Sequence, residues 1–133
     1  GKRYDLDGVV VEPGPTRQEG WSVISLTAME GEFGSGTARI LIIATGDVEN
    51  TNMGWKNAEK STVGRDWGEA PTRVEVIPAQ LTFPVAPERI EAWALDERGQ
   101  RHGALTVKRS NTGHALIHLG PPQKTLWYEV MLR

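Results

Sequence analysis

The residues in this sequence best suited to chemistry are its tryptophans. The chain of 133 residues carries five Trp against two Phe and two Tyr, a skew that core filling does not require. A flat indole stacks on the C–H face of a pyranose ring while neighbouring amides, carboxylates and cations hydrogen-bond the hydroxyls. Such sites combine apolar surface with a few convergent polar groups. Trp55 and Trp67 lie in a long polar stretch beside Asn50, Asn52, Lys56, Arg65 and Asp66. Trp93 falls between Glu91 and Leu95 at two-residue spacing, and Trp127 alternates with Glu129 and Met131. Period-two logic puts both of these indoles on the more polar faces of their strands. Trp21 is expected in the core. The candidate ligand-binding residues are therefore Trp55, Trp67, Asn50, Asn52, Asp66, Arg65, Trp93 and Trp127.

Other chemistries fit less well. His114 and His118 lie four apart on an expected strand, roughly 13 Å from one another at about 3.3 Å per residue, too far to share a metal. His102 opens a different strand. Gly34-Ser35-Gly36 lacks the Gly-x-Ser-x-Gly spacing and the strand-to-helix turn that expose a serine nucleophile. The Gly-rich segment Gly31–Gly36 joins strand to strand, so no helix N-terminus follows it to hold a phosphate. Glycoside hydrolysis needs two carboxylates about 5 to 9.5 Å apart. Glu49, Asp66, Glu91 and Glu129 are candidates, with nothing to single out one pair. An esterase or lyase would need a nucleophile–base pair that the sequence does not offer. Catalytic residues are thus expected to be absent, as are cofactors. Asp47–Asn52 offers hard oxygen ligands for a structural calcium ion but departs from the EF-hand pattern, and polar side chains capping their own loop explain it more simply.

Composition narrows the partners. Fifteen basic residues against 17 acidic ones give a net charge of −2, and the Lys and Arg are scattered, which argues against a nucleic-acid groove. There is no cysteine, which excludes disulfides, zinc ribbons and thiol catalysis. No apolar run reaches the length of a membrane-spanning helix. The opening Gly1-Lys2-Arg3-Tyr4 has no apolar leader segment, as expected where a signal has been removed or a module excised.

The elements that must position the tryptophans read as strands. Apolar runs rich in Val, Ile, Thr and Trp recur between Gly, Pro, Asn and Asp clusters. Strands are expected near Tyr4–Val11, Trp21–Ala28, Ala38–Thr45, Arg73–Phe83, Arg89–Asp96, Ala104–Arg109, Ala115–Leu119 and Leu126–Leu132. The almost wholly apolar run from Ala38 to Ala44 reads as a central strand covered on both faces. Pro78 marks a bulge, a bend or a switch between sheets. Hairpin turns are expected at Asp96–Gln100 and Ser110–Gly113. The best helical signal is one turn at Asn57–Ser61. The stretch from Gly46 to Pro71 reads as a long loop, and such loops in compact domains often carry function. Together these predict one all-β domain over 1–133, a jelly-roll-like sandwich of about eight antiparallel strands in two sheets.

Four blocks carry a resemblance: Ala44-Thr45-Gly46 with Glu49–Trp55; Thr62–Pro71; Trp93–Arg101; and Thr125–Glu129. Together they resemble the small C-terminal β-sandwich appended to the catalytic barrel of certain bacterial cellulase-like glycoside hydrolases. The resemblance runs from Trp21 to the end of the chain. It implies a secreted, non-catalytic, monomeric partner of a polysaccharide-degrading enzyme. That partner is either a carbohydrate-binding module for a polysaccharide or oligosaccharide, or an accessory domain bracing a catalytic (β/α)8 domain of the same chain. Exposed, coplanar indoles would favour the first; an irregular patch of aliphatics among the indoles would favour the second. Neither nucleic acid nor membrane is an expected partner.

Overall fold

The computed structural model describes residues 1–33 and 36–133. Gly34 and Ser35, weighed above for serine chemistry, lie outside them. The chain is all-β, with two five-stranded antiparallel sheets facing each other and a small third sheet of two strands. In chain order the strands are β1 (Tyr4–Leu6), β2 (Val9–Pro13), β3 (Val23–Gly31), β4 (Ala38–Thr45), β5 (Val48–Thr51) and β6 (Glu69–Val74). They continue with β7 (Ala79–Phe83), β8 (Ile90–Leu95), β9 (Arg101–Ala104), β10 (Lys108–Arg109), β11 (Ala115–Leu119) and β12 (Trp127–Leu132). One sheet runs β1-β2-β7-β11-β10, the other β3-β4-β12-β8-β9, and β5 pairs with β6. The only helical turns among the described residues are short 3-10 segments at Pro87–Arg89 and Pro121–Gln123.

Alternation of side chains builds the core. Val9, Val11, Leu81, Phe83, Ile117 and Leu119 point inward from the first sheet, and Ile40, Ile42, Ala92, Ala94, Tyr128 and Val130 meet them from the second. β4 alternates buried and half-buried positions, so it is covered on one face rather than both. Its second set, Leu41 and Ile43, belongs to the outer face of the sheet and is half-buried. The turns at Asp96–Gln100 and Ser110–Gly113 close as expected: Gly99 and Gly113 take positive φ, and the Asp96 and Ser110 carbonyls accept from their backbone N–H groups.

Elsewhere the chain is cut more finely than the apolar runs suggest. The run from Tyr4 to Val11 is a hairpin, β1–β2, because Asp7 and Gly8 both adopt positive φ, as a two-residue turn between twisted strands requires. The run from Arg73 to Phe83 divides at 75–78, where the chain leaves the small sheet for β7; Pro78 marks that switch. The run from Ala104 to Arg109 also crosses between sheets. Its first residue ends β9 in one sheet and its last two form β10 in the other.

The stretch expected to be a long loop is a hairpin of its own, β5–β6, with an elaborated tip. Gly54 and Lys56 donate backbone hydrogen bonds to the carbonyls of Asp66 and Thr62. The turn at Asn57–Ser61 is closed by the Asn57 side chain, which bonds both the backbone and the hydroxyl of Ser61. Trp21 corrects a further expectation. It is 57% exposed, two residues ahead of the first β3 position, with its N–H bonded to the Gln18 carbonyl and its own carbonyl to the Thr16 hydroxyl. The turn before β3 holds it outside the sandwich.

Candidate functional site

The eight candidate residues separate into two groups. Trp93 and Trp127 share the outer face of the second sheet. β12 pairs Glu129 opposite Trp93, so Trp127, two residues from Glu129, is the diagonal neighbour of Trp93, a relation that spans about 7–8 Å. The opposite residues of these strands, Ala92, Ala94, Tyr128 and Val130, are the buried ones, and this fixes both indoles outward. Leu41, Ile43 and Met131 continue the same face as half-buried positions.

A cation completes the arrangement. The Arg101 guanidinium lies over the Trp93 ring, 3.6 Å from its centroid, and both its Nε, at 3.1 Å, and a terminal nitrogen donate to Glu129 Oε1. The Glu129 side chain is only 13% exposed, sheltered between the indole and the arginine. Arg101 thus covers one face of Trp93, while Trp127 stays 39% exposed. Beside Trp127 opens a groove of about 620 Å3 between the end of the second sheet and the chain leaving β6. Val74, Val76, Leu95 and Leu126 form its apolar wall, and Asp96, Glu97, His102, Gln123, Lys124 and Thr125 its polar one. The Asp96 carboxylate is already used, accepting from the backbone N–H groups of Arg98 and Gln100. The Thr125 hydroxyl donates to the Leu95 carbonyl. Glu97, His102, Gln123 and Lys124 remain to meet a polar ligand.

The other six residues lie in the β5–β6 hairpin, and several are committed to it. Asn50 donates to the Trp67 carbonyl at 2.9 Å and accepts from the Thr72 hydroxyl at 2.9 Å. Asn52, at a positive φ, donates to Glu69. Trp55 is half-buried, with its indole N–H on Glu49 at 2.9 Å, and Asp66 is paired with Lys56 at 2.7 Å. Trp67 and Arg65 are exposed, Trp67 by 64%. Trp55 and Trp67 therefore differ in character, one tied inward and one presented to solvent. At the base of the hairpin Arg17 reaches both Asp47 and Glu49, Gln18 donates to Asp47, and Lys60 approaches Glu49. The side-chain oxygens of Asp47–Asn52 thus serve the hairpin and its attachment to Arg17 and Gln18. Among the described residues no group of three or more His, Asp or Glu converges as metal ligands.

The four candidate carboxylates each meet a cation of the chain: Glu49 with Arg17, Asp66 with Lys56, Glu91 with Arg133 and Glu129 with Arg101. Glu91 and Glu129 are diagonal neighbours on the outer face, each neutralised by its own arginine. His118 points outward from β11, and His114 precedes that strand in the turn, where its N–H bonds Ser110. Arg101 and the polar wall of the groove escaped sequence reasoning. Arg101 sits past a register shift between Ala94 and Leu95, which alternation alone does not reveal. The groove is assembled from segments far apart in the chain. No protein-family model, curated protein or solved structure matches this chain. Among the described residues no helix is long and apolar enough to cross a membrane.

Proposed function

We infer that this chain is a non-catalytic carbohydrate-binding module, secreted by a bacterium as part of a polysaccharide-degrading glycoside hydrolase. One arrangement supports the reading: the half-exposed Trp127 at the mouth of the groove, with Glu97, His102, Gln123 and Lys124, whose side chains are unengaged among the described residues, around it. A sugar ring stacked on Trp127 brings its hydroxyls to those side chains, and the Arg101–Glu129 pair borders the adjoining position. The Asn50 and Asn52 amides are weaker hydroxyl partners, since binding there would compete with bonds that shape the hairpin. Affinity electrophoresis in gels containing β-glucan, xylan, mannan or galactan tests the proposal. Retardation by one of them, lost in Trp127→Ala and kept in Trp67→Ala, is the expected result; free migration in every gel would sink it.

A second reading, an accessory domain bracing a catalytic (β/α)8 domain, draws on the exposed apolar side chains of the hairpin, among them the groove's own Val74. Val48 and Val74, opposite one another on β5 and β6, are exposed, as is Trp67 at the hairpin end. Exposed aliphatics suit a protein contact better than a sugar. This reading expects no retardation in any gel. It also expects a rise in the melting temperature of the catalytic domain when the two are joined, reduced by Trp67→Ala.

A further inference from the structure

Each sheet of an open sandwich ends in edge strands whose outer N–H and C=O groups lack a ladder partner, and proteins guard such edges with brevity, charge, proline or bulges. Five of the six edges among the described residues follow that rule, β5 with four residues that include Glu49. β1 has three residues including Asp5, and β10 is the pair Lys108-Arg109. β9 is Arg101-His102-Gly103-Ala104, and β6 contains Glu69, Pro71 and Arg73. β3 departs from it. It runs nine residues along the edge of the second sheet, and its segment Val23–Ala28 has neither charge nor proline. A bulge interrupts its pairing with β4 only after Ala28.

We propose that β3 pairs with β3 of a second copy of this chain, antiparallel about a two-fold axis at Ser25, joining the two second sheets into one of ten strands. Opposed residues of an antiparallel pair must share a face, and this register meets the condition with neutral partners throughout. Val23 faces Thr27 of the other copy on the outer side. Ile24 faces Leu26 on the inner side, where both already pack against the core. Trp21, 57% exposed, comes beside Met29, 52% exposed, a sulfur–aromatic contact. Glu30, the only charge in β3, lies beyond the paired segment and is held by Arg39 at 3.2 Å. A second copy is the fitting occupant because this one register covers three exposed apolar side chains of each copy, Trp21, Val23 and Met29. The pairing stands independently of what the groove binds.

Sedimentation velocity over a range of concentrations tests it. The wild-type chain should approach twice its 14.6 kDa mass as concentration rises. Ser25→Lys and Ser25→Glu each place like charges directly opposite across the axis, so each alone should self-associate several-fold more weakly. An equimolar mixture of the two should recover the dimer, a result that a folding defect cannot produce. In the wild type, hydrogen exchange at Val23–Ala28 should slow with concentration while exchange in β11 does not. A wild-type chain that stays monomeric throughout, or a dimer that survives both substitutions undiminished, would overturn the proposal.

Discussion

Two tryptophans on one face of one sheet have different work to do. Trp93 is stacked under Arg101, a contact of about 0.5–1 kcal/mol at an exposed site, while Trp127 is bare at the groove. On the glycan-binding reading, Trp127→Ala should lose about 1–3 kcal/mol of affinity, taking base–aromatic stacking as the nearest measured scale, a loss larger than its cost in stability. Trp93→Ala should behave oppositely. It removes the platform under Arg101 and exposes Glu129, so the urea midpoint falls more than the affinity does. Calorimetric titration with the retarding polysaccharide, paired with urea denaturation, separates the two. Tyr128 offers a second test at this scale. Burial pushes its phenol above the ordinary tyrosine value, against a smaller opposing effect of a hydrogen bond with the Gly120 backbone. Below that ordinary value, about 10, the phenol is protonated in folded and unfolded chains alike and its contribution is fully present. As pH rises the unfolded phenol ionises first, so stability falls until the folded phenol also titrates. Denaturation from neutral to strongly alkaline pH should show this loss, and Tyr128→Phe should flatten it.

At the scale of elements, the β5–β6 hairpin depends on Gly68. Its φ is +73°, and a Cβ there would press into the Thr51 carbonyl oxygen and the backbone of Met53. Gly68→Ala should therefore destabilise the hairpin by about 1–3 kcal/mol for the backbone conformation alone, with the steric clash added. Loss of near-ultraviolet signal from Trp55 and Trp67 ahead of the main unfolding transition would report it. This hairpin was also the element hardest to read in advance. Its strands Val48–Thr51 and Glu69–Val74 carry Glu, Asn, Thr, Pro and Arg, with no alternation to distinguish them from a loop. β8, β11 and β12 were legible because one face of each is buried, while β4 was legible as a strand only from its apolar run, which hid that one face is outer. The same period placed Trp93 and Trp127 outward together. It could not place Trp21, since a turn rather than a strand sets that position. Nor could it find Arg101, which reaches Trp93 only through a shifted register. Sheet crossings at 75–78 and after Ala104 were hidden for a related reason: an apolar run looks the same whether its residues enter the core from one sheet or pass between two.

For the whole molecule, these elements imply two levels of stability. The core cluster draws on both large sheets, on Ile77 where the chain enters β7 from the small sheet, and on Leu105 in the segment that crosses between the large ones. Neither sheet can bury its inner face without the other, and the sandwich should unfold as one cooperative unit. The hairpin adds no residue to that cluster. Its buried apolar side chain, Val63, lies at the tip, and much of what holds it is exposed side-chain hydrogen bonding. Segments with few buried apolar contacts open below the global free energy. Native-state hydrogen exchange should thus find the amides of β5 and β6 opening in a sub-global step, while those of β4, β7, β11 and β12 exchange only with global unfolding. Two substitutions sharpen the test. Phe83→Ala, in the core, should lower global stability by about 3–5 kcal/mol without changing the opening free energy of the hairpin while that still lies below the global value. Gly68→Ala should do the reverse. If the hairpin amides instead follow the global transition in the wild type and shift with Phe83→Ala, the hairpin is an integral part of the sandwich. Its exposed Trp67 would then sit on a rigid platform rather than on a unit that a partner could order.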